Sequence, residues 1–298
     1  MIPQVYITIP RGRNPADYLR TAAEVVRWTV DSGLDGILFF AGAGAYLDPW
    51  LSATSLVATT TGVTPMIAVN PAYVHPVTAA SFVNTIANLH GRRVALNYIA
   101  GTSLSELSAI GEQLDHGARY RRLAEYAQVV AGLLGSSRPL DFDGEYYQLS
   151  RVQVLPQLPA PLLPELFLAG QSDDARRVAQ DIGASTISML AGGDAGGVGA
   201  RHFGVCTRPD AGSAWAAAAA AFPTDDIGAA MQRLSLADTD ASWKHRLLDG
   251  STPAQGAYWT GPFENGHADC PYIVDDHDGV ADLLRWLGAA GVHTVILD

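Results

Sequence analysis

Residues 92–128 read RRVALNYIAGTSLSELSAIGEQLDHGARYRRLAEYAQ. The apolar run 94–99 is a strand that carries Asn97 and runs out into Gly101 and Thr102. A polar loop follows, and then His116, Arg119 and Tyr120 open a long helix. Small and polar groups at the C-terminal end of a strand, followed by a helix, are how α/β folds hold a ligand. Residues 166–179, LFLAGQSDDARRVA, repeat the layout: a strand over 166–168, then Gly170, Ser172 and a helix start. Two such ends side by side make an anion site from a hydroxyl, a phenol and backbone N–H groups.

The same alternation extends along the chain. Strand patterns fall at 4–9, 36–40, 64–69, 94–99, 166–168, 186–189, 202–207 and 294–297. Helix patterns fall at 16–32, 49–59, 76–89, 120–134, 173–181, 213–221 and 280–289. Eight strands alternating with helices predict a single (β/α)8 barrel domain over 1–298, a TIM barrel of the α/β class. Asp48, Asp173 and Ser213 stand near helix starts as caps, and Gly33, Gly91, Gly135 and Gly183 follow helix ends as stops. Three irregularities break the pattern. The stretch 191–200, AGGDAGGVGA, is too rich in glycine for a helix, so the sixth helix is expected to be missing. Residues 223–269 form an insertion before the last βα unit, and its Trp243, Tyr258, Trp259 and Phe263 predict that it packs. The chain reaches Asp298 with no C-terminal helix after the last strand pattern. Those gaps leave the outer faces of strands six to eight in need of cover, and a homodimer aided by the insertion is expected to supply it.

Composition narrows the function. With 48% hydrophobic and 16% charged residues the chain suits a well-buried enzyme. A net charge of −11 without a basic run argues against nucleic acid and anionic membrane. No apolar run has membrane-spanning length, and the N-terminus lacks a secretory layout, so a cytoplasmic place is expected. Cys206 and Cys270 make no disulfide scaffold, and no metal-ligand spacing occurs. Lys244 is the only lysine, which weakens a Schiff-base reading and leaves arginine to bind anions. Paired carboxylates from two strand ends, as a glycosidase needs, are missing before the last strand. The segment 41–47, AGAGAYL, lacks the third glycine of a dinucleotide fingerprint. What remains at the strand ends is apolar, small and sparsely polar, which suits a flat aromatic cofactor with one phosphate tail.

These blocks resemble the luciferase-like flavin monooxygenases. LDPWLSAT, PAYVHP, GRRVALNYIAG, DHGARYRRLAEY, FDGEYYQL, AWAAA with FP, YWTGPF and CPYIV fall in that family's order and cover nearly the whole chain. The alkanesulfonate monooxygenase-like branch of natural-product gene clusters is the nearest in look. The resemblance implies a two-component enzyme that takes reduced FMN from a separate flavin reductase and uses O2 to oxygenate a small organic substrate. Asn97, Gly101 and Thr102 would flank the ring and ribityl chain. His116, Arg119, Tyr120, Gly170 and Ser172 would hold the phosphate. His75, Tyr46, His202 and Arg11 are the catalytic candidates. His75 precedes Pro76 and is also readable as a helix cap, Tyr46 as packing, Arg11 as a solvated rim residue and His202 as a core histidine. Alkanesulfonate monooxygenases carry an arginine and a histidine two residues apart where this chain has His202 and Gly204, so the substrate pocket looks rebuilt. Two other readings stay open: a deazaflavin (F420)-dependent oxidoreductase of the same fold, and a flavin-binding protein without turnover.

Overall fold

The computed structural model describes residues 2–10, 15–42, 45, 47–191, 198–248 and 256–298. In chain order the elements are β1 (Gln4–Thr8), α1 (Pro15–Asp31), β2 (Gly36–Phe39), α2 (Pro49–Thr59), β3 (Thr64–Val69), α3 (Pro76–His90), β4 (Ala95–Tyr98), α4 (Leu104–Ala109) and α5 (His116–Gly135). Then come β5 (Leu140–Asp143), β6 (Gln148–Val152), β7 (Glu165–Ala169), α6 (Asp173–Asp181), β8 (Ser185–Met189), β9 (Gly199–Arg208) and α7 (Ala211–Ala221). The chain finishes with α8 (Asp226–Ala237), α9 (Ser242–Leu248), β10 (Tyr258–Trp259), α10 (Gly261–Glu264), β11 (Tyr272–Asp276), α11 (His277–Ala289) and β12 (Val292–Leu297). All eight expected strands are present, as β1, β2, β3, β4, β7, β8, β9 and β12. They pair in parallel in the order β9-β12-β1-β2-β3-β4-β7-β8, and β8 pairs back to β9 to close the barrel.

One buried residue from each barrel strand fills the interior: Tyr6, Leu38, Met66, Ala95, Phe167, Ile187, Ala200 and Ile296. Bulky and small groups interleave, so the barrel is a packed core and not a pore. Gly36 shows how tight it is, because a Cβ there would lie 2.2 Å from Tyr6 Cε1 and 2.3 Å from the Thr64 carbonyl oxygen. A larger apolar layer lies outside the strands, where Leu96 and Tyr98 of β4 meet Val83 of α3 and Leu123, Tyr126 and Val130 of α5.

Local chemistry sets the helix ends, and it corrects several sequence expectations. Asp48 caps α2 as expected, but Ser172 rather than Asp173 caps α6, and Asp210 rather than Ser213 caps α7. In both cases the residue with a β-region backbone is the one whose side-chain oxygen reaches the free N–H groups. Gly91 closes α3 in the left-handed conformation (φ 62°), while Gly135 stays inside α5, whose C-cap is Ser136. α5 starts a full turn earlier than its apolar pattern, at His116, because Asp115 accepts from the N–H of Ala118 at 2.7 Å. The FDGEYY block is a hairpin turn between β5 and β6. Glu125 of α5 fixes it, accepting from the backbone N–H of Glu145, Tyr146 and Tyr147.

The insertion does pack. It contributes α8, α9, α10 and β10, and β10 pairs antiparallel with β11. β11 in turn lies parallel to the outer half of β9, with Tyr272 opposite Gly204 and Asp276 opposite Arg208. The expected cover for strands seven and eight therefore comes from the chain itself. Ala214 and Ala218 of α7 pack on Tyr272 and Val274, while Val280 and Leu287 of α11 pack on Val292 and Val295. That removes the reason given for a dimer on this side. Of the stretch expected to replace a sixth helix, residues 192–197 lie outside the described residues. β12 ends at Leu297. No helix among the described residues is long and apolar enough to cross a membrane.

Gly36→Ala is expected to cost at least about 3 kcal/mol, the upper end for overpacking, since one of the clashing atoms is ladder backbone that cannot retreat. Urea unfolding checks it, and a loss below about 1 kcal/mol would show that the layer yields more easily than its contacts imply.

Candidate active site

Side chains alternate along a strand, so the residues two places beyond the interior layer face inward at the C-terminal mouth. They are Thr8, Ala68, Asn97, Ala169, Met189 and His202, with Phe40 just past β2 and Asp298 just past β12. Small groups on β3 and β7 leave room, and polar ones gather on β4, β9 and β12. Asn97 is 4% exposed and its Oδ1 has no hydrogen-bond partner. His202 is 5% exposed, its Nε2 is likewise unpartnered, and its ring lies 6.4 Å from that of Phe40. A buried polar atom without a partner is costly, so two at one mouth point to a ligand that satisfies them.

Asp298 is held from both sides. Thr8 Oγ1 donates to its Oδ1, and the Tyr272 hydroxyl donates to its Oδ2 at 2.9 Å. Burial beside this carboxylate pushes the Tyr272 phenol well above its ordinary range. Tyr272 reaches Asp298 only because residue 204 is glycine: a Cβ at Gly204 would fall 2.2 Å from the tyrosine ring. Burial lowers the His202 imidazole below its ordinary value, and the Asp298 and Asp269 carboxylates oppose that without cancelling it. His202 is therefore a neutral imidazole near a fixed anion, able to take or return a proton.

The second cluster sits where β4 and β7 end. Ser172 caps α6, its Oγ accepting from Ala175 N at 3.1 Å, and His116 Nε2 stands 3.4 Å from the same oxygen. The His116 and Tyr120 rings are 5.0 Å apart. The Tyr120 phenol is raised chiefly by burial, while a hydrogen bond with Ser172 pulls it down. Gly170 is the gap that admits it, since a Cβ there would lie 2.7 Å from the Tyr120 hydroxyl and 2.6 Å from Ala175 Cβ. The two strand ends quoted from the sequence are thus one cradle, built from hydroxyl, phenol, imidazole and a helix N-terminus. Arg119 backs it from below. It is 3% exposed, with its guanidinium on the Leu114 carbonyl (3.0 Å) and on Asp240, so its charge is already matched.

The other sequence candidates are placed differently. His75 caps α3, its Nδ1 accepting from Val77 N at 3.3 Å, and its ring stands edge-on to Tyr147 at 5.6 Å. It borders an outer groove between α2 and α3, with Trp50 and Phe82, rather than the barrel interior. Of the two readings weighed for it, the geometry carries the cap. Gly101 takes a left-handed φ of 84°, and a Cβ would meet Leu107 at 2.9 Å. Thr102 offers its carbonyl to Thr239 Oγ1 at 2.8 Å. Arg11 and Tyr46 lie outside the described residues. Among the described residues no cluster of three or more metal-ligating groups occurs. Sequence reasoning missed Asp240, Thr8 and Tyr272. Thr8 was readable as the third inward residue of β1, while Asp240 gave no signal, being 121 residues from the arginine it meets.

Comparison with known proteins bears on family and fold. A family profile described as luciferase-like monooxygenase matches residues 6–292. A 4-(gamma-L-glutamylamino)butanoyl-acyl-carrier-protein monooxygenase from Niallia circulans is 28% identical over 94% of this chain and 86% of its own length. Among solved structures, an EDTA monooxygenase from Chelativorans sp. superposes with a TM-score of 0.77 at 16% identity, over 100% of this chain and 89% of that one. The oxygenating constituent of 3,6-diketocamphane monooxygenase from Pseudomonas putida, in complex with FMN, does so at 0.72 and 14% identity, over 100% and 92%.

The depressed His202 has a consequence for stability. Its folded value lies below its unfolded value near 6.5, so the unfolded chain binds the proton more tightly. Its contribution is complete above that value and is lost as pH falls through it toward the folded value. His202→Gln is expected to blunt the loss of stability of the wild type between about pH 7 and 5. Urea melts across that range check it, and parallel pH profiles for the two proteins would contradict a buried neutral imidazole.

Proposed function

The chain belongs to the luciferase-like monooxygenase family, and we propose that it is the oxygenating half of a two-component flavin-dependent system. It takes reduced FMN from a separate reductase, together with O2, and oxygenates a small organic substrate in specialised metabolism. The observation that carries this reading is the pairing of the α6 cradle with an inward-facing Asn97 whose Oδ1 has no partner. The residues fit the group. The cradle of Ser172, Tyr120 and His116 would take the phosphate, with Gly170 as the gap beside it. Asn97 offers an acceptor to a ring N–H or a ribityl hydroxyl, and Ala68, Ala169 and Gly101 leave space for a flat ring.

Bound reduced flavin supplies the electrons that activate O2. The protein's part is to orient, to exclude water and to manage protons. His202 holds its neutral form in the buried mouth and can accept a proton at Nε2 from substrate, or return one. Thr8 and Tyr272 each donate to one oxygen of Asp298, which anchors that carboxylate beside the imidazole. The relative from Niallia circulans, which acts on a carrier-bound acyl amine derivative by its name, supports a natural-product setting. FMN-bound and F420-bound neighbours share this fold alike, so the choice of flavin rests on the chain's own residues and charge. The deazaflavin reading asks for a basic mouth to meet a polyanionic tail, and a net charge of −11 with one lysine counts against it.

Anaerobic titration with reduced FMN and with reduced F420 is the test. Saturable binding of reduced FMN is expected, weakened about ten- to hundredfold in Ser172→Ala, which loses a hydrogen bond to a charged oxygen. Failure to bind reduced FMN, or turnover supported by F420 alone, would overturn the proposal.

A further inference from the structure

The insertion does more than cover the sheet. Its segment from Asp238 to Ala241 is tied to the loop after β4 by several bonds. Asp238 accepts from Ser103 Oγ at 2.9 Å, Ser105 N at 2.9 Å and Ser105 Oγ at 2.6 Å. Its carbonyl accepts from Leu104 N at 2.9 Å. Thr239 Oγ1 donates to the Thr102 carbonyl at 2.8 Å and accepts from Ala241 N at 3.2 Å. Asp240 stands in the middle of this pinned stretch. Its Oδ2 meets Arg119 and lies 3.2 Å from His116 Nδ1.

We propose that Asp240 is a positioning residue for the anion cradle: it orients the His116 ring so that Nε2 always faces Ser172 and the ligand. The proposal rests on the cradle being the phosphate subsite of the bound flavin. A continuous chain runs from the Leu114 carbonyl through Arg119, Asp240 and His116 to Ser172 Oγ. The partner of one imidazole nitrogen decides what the other can do. A carboxylate accepts only, so Nδ1 must carry the hydrogen and Nε2 is left for the cradle. An imidazolium donates from both nitrogens, so one ring serves Asp240 and a phosphate oxygen together. Without Asp240 the ring is free to flip, and its donor geometry toward the ligand is lost. Arg119, buried and anchored on Leu114, holds the carboxylate at the angle this needs. The insertion thereby completes a subsite built otherwise from α5 and α6.

Two measurements on the full chain test this. Histidine ¹⁵N spectra without ligand, with His116 assigned by its loss in His116→Gln, are expected to show a single Nδ1–H form in the wild type and a mixture of tautomers in Asp240→Asn. Anaerobic titrations with reduced FMN and with reduced riboflavin, which lacks the phosphate, give the second readout. Asp240→Asn is expected to weaken FMN about tenfold or more, as loss of an orienting partner does at other sites, and to leave riboflavin within about twofold. A general loosening of the fold would weaken both flavins alike. Asp240→Asn leaves a buried guanidinium unpaired; should that variant not fold, Arg119→Met/Asp240→Asn, which buries no unmatched charge, is read the same way. An unchanged tautomer, or equal effects on the two flavins, overturns the positioning role. A wild type that binds neither flavin overturns the proposed function instead, and the tautomer spectra still decide the place of Asp240.

Discussion

A strand has two hydrogen-bonding edges, and β9 gives one of them to two partners in succession. Its first half, to Phe203, pairs with β12 and closes the barrel against β8. Where β12 stops, that edge would be left open, and an unpaired row of backbone groups is a liability. β11 takes it over from Gly204 onward. The handover falls at the mouth, between His202 and Gly204, and it brings Tyr272 of β11 against Asp298 at the end of β12. The inner polar ring exists because two sheets share one strand.

The two halves of the site solve different electrostatic problems. At the mouth a half-buried carboxylate has both oxygens served, and the neighbouring imidazole stays neutral. The helix-end cradle has its one strong cation, Arg119, already matched by Asp240. Apart from His116, it therefore meets an anion with oriented dipoles and hydrogen-bond donors, not with a bare charge. Such a site selects by geometry, which suits a ligand that must arrive, react and leave.

Much of this was legible in the sequence because it is local. Alternation of apolar strands with helices located all eight barrel strands, and glycine and hydroxyl residues after 94–99 and 166–168 marked where the cradle forms. Caps were misplaced by one to three residues, since Asp210 and Ser213 or Ser172 and Asp173 read alike until the backbone conformation is known. β11 was missed because CPYIV is short and lies beside an insertion, and its partner edge exists only once the barrel is closed. Asp240 was missed for a stronger reason: it sits in a polar stretch without periodicity, and only the path of the insertion carries it to His116. The cover over strands seven and eight was expected from a dimer aided by the insertion, whereas α7 and α11 supply it, α7 by packing on a β11 that the sequence pattern did not mark.

The glycine beneath the Tyr272 ring also constrains how this mouth could have diverged. Any group there now collides with the aromatic ring, whose removal would in turn free the carboxylate it restrains. Positions 204, 272 and 298 are thus coupled: a side chain at 204 crowds the Tyr272 ring, and loss of that ring leaves one Asp298 oxygen without its donor.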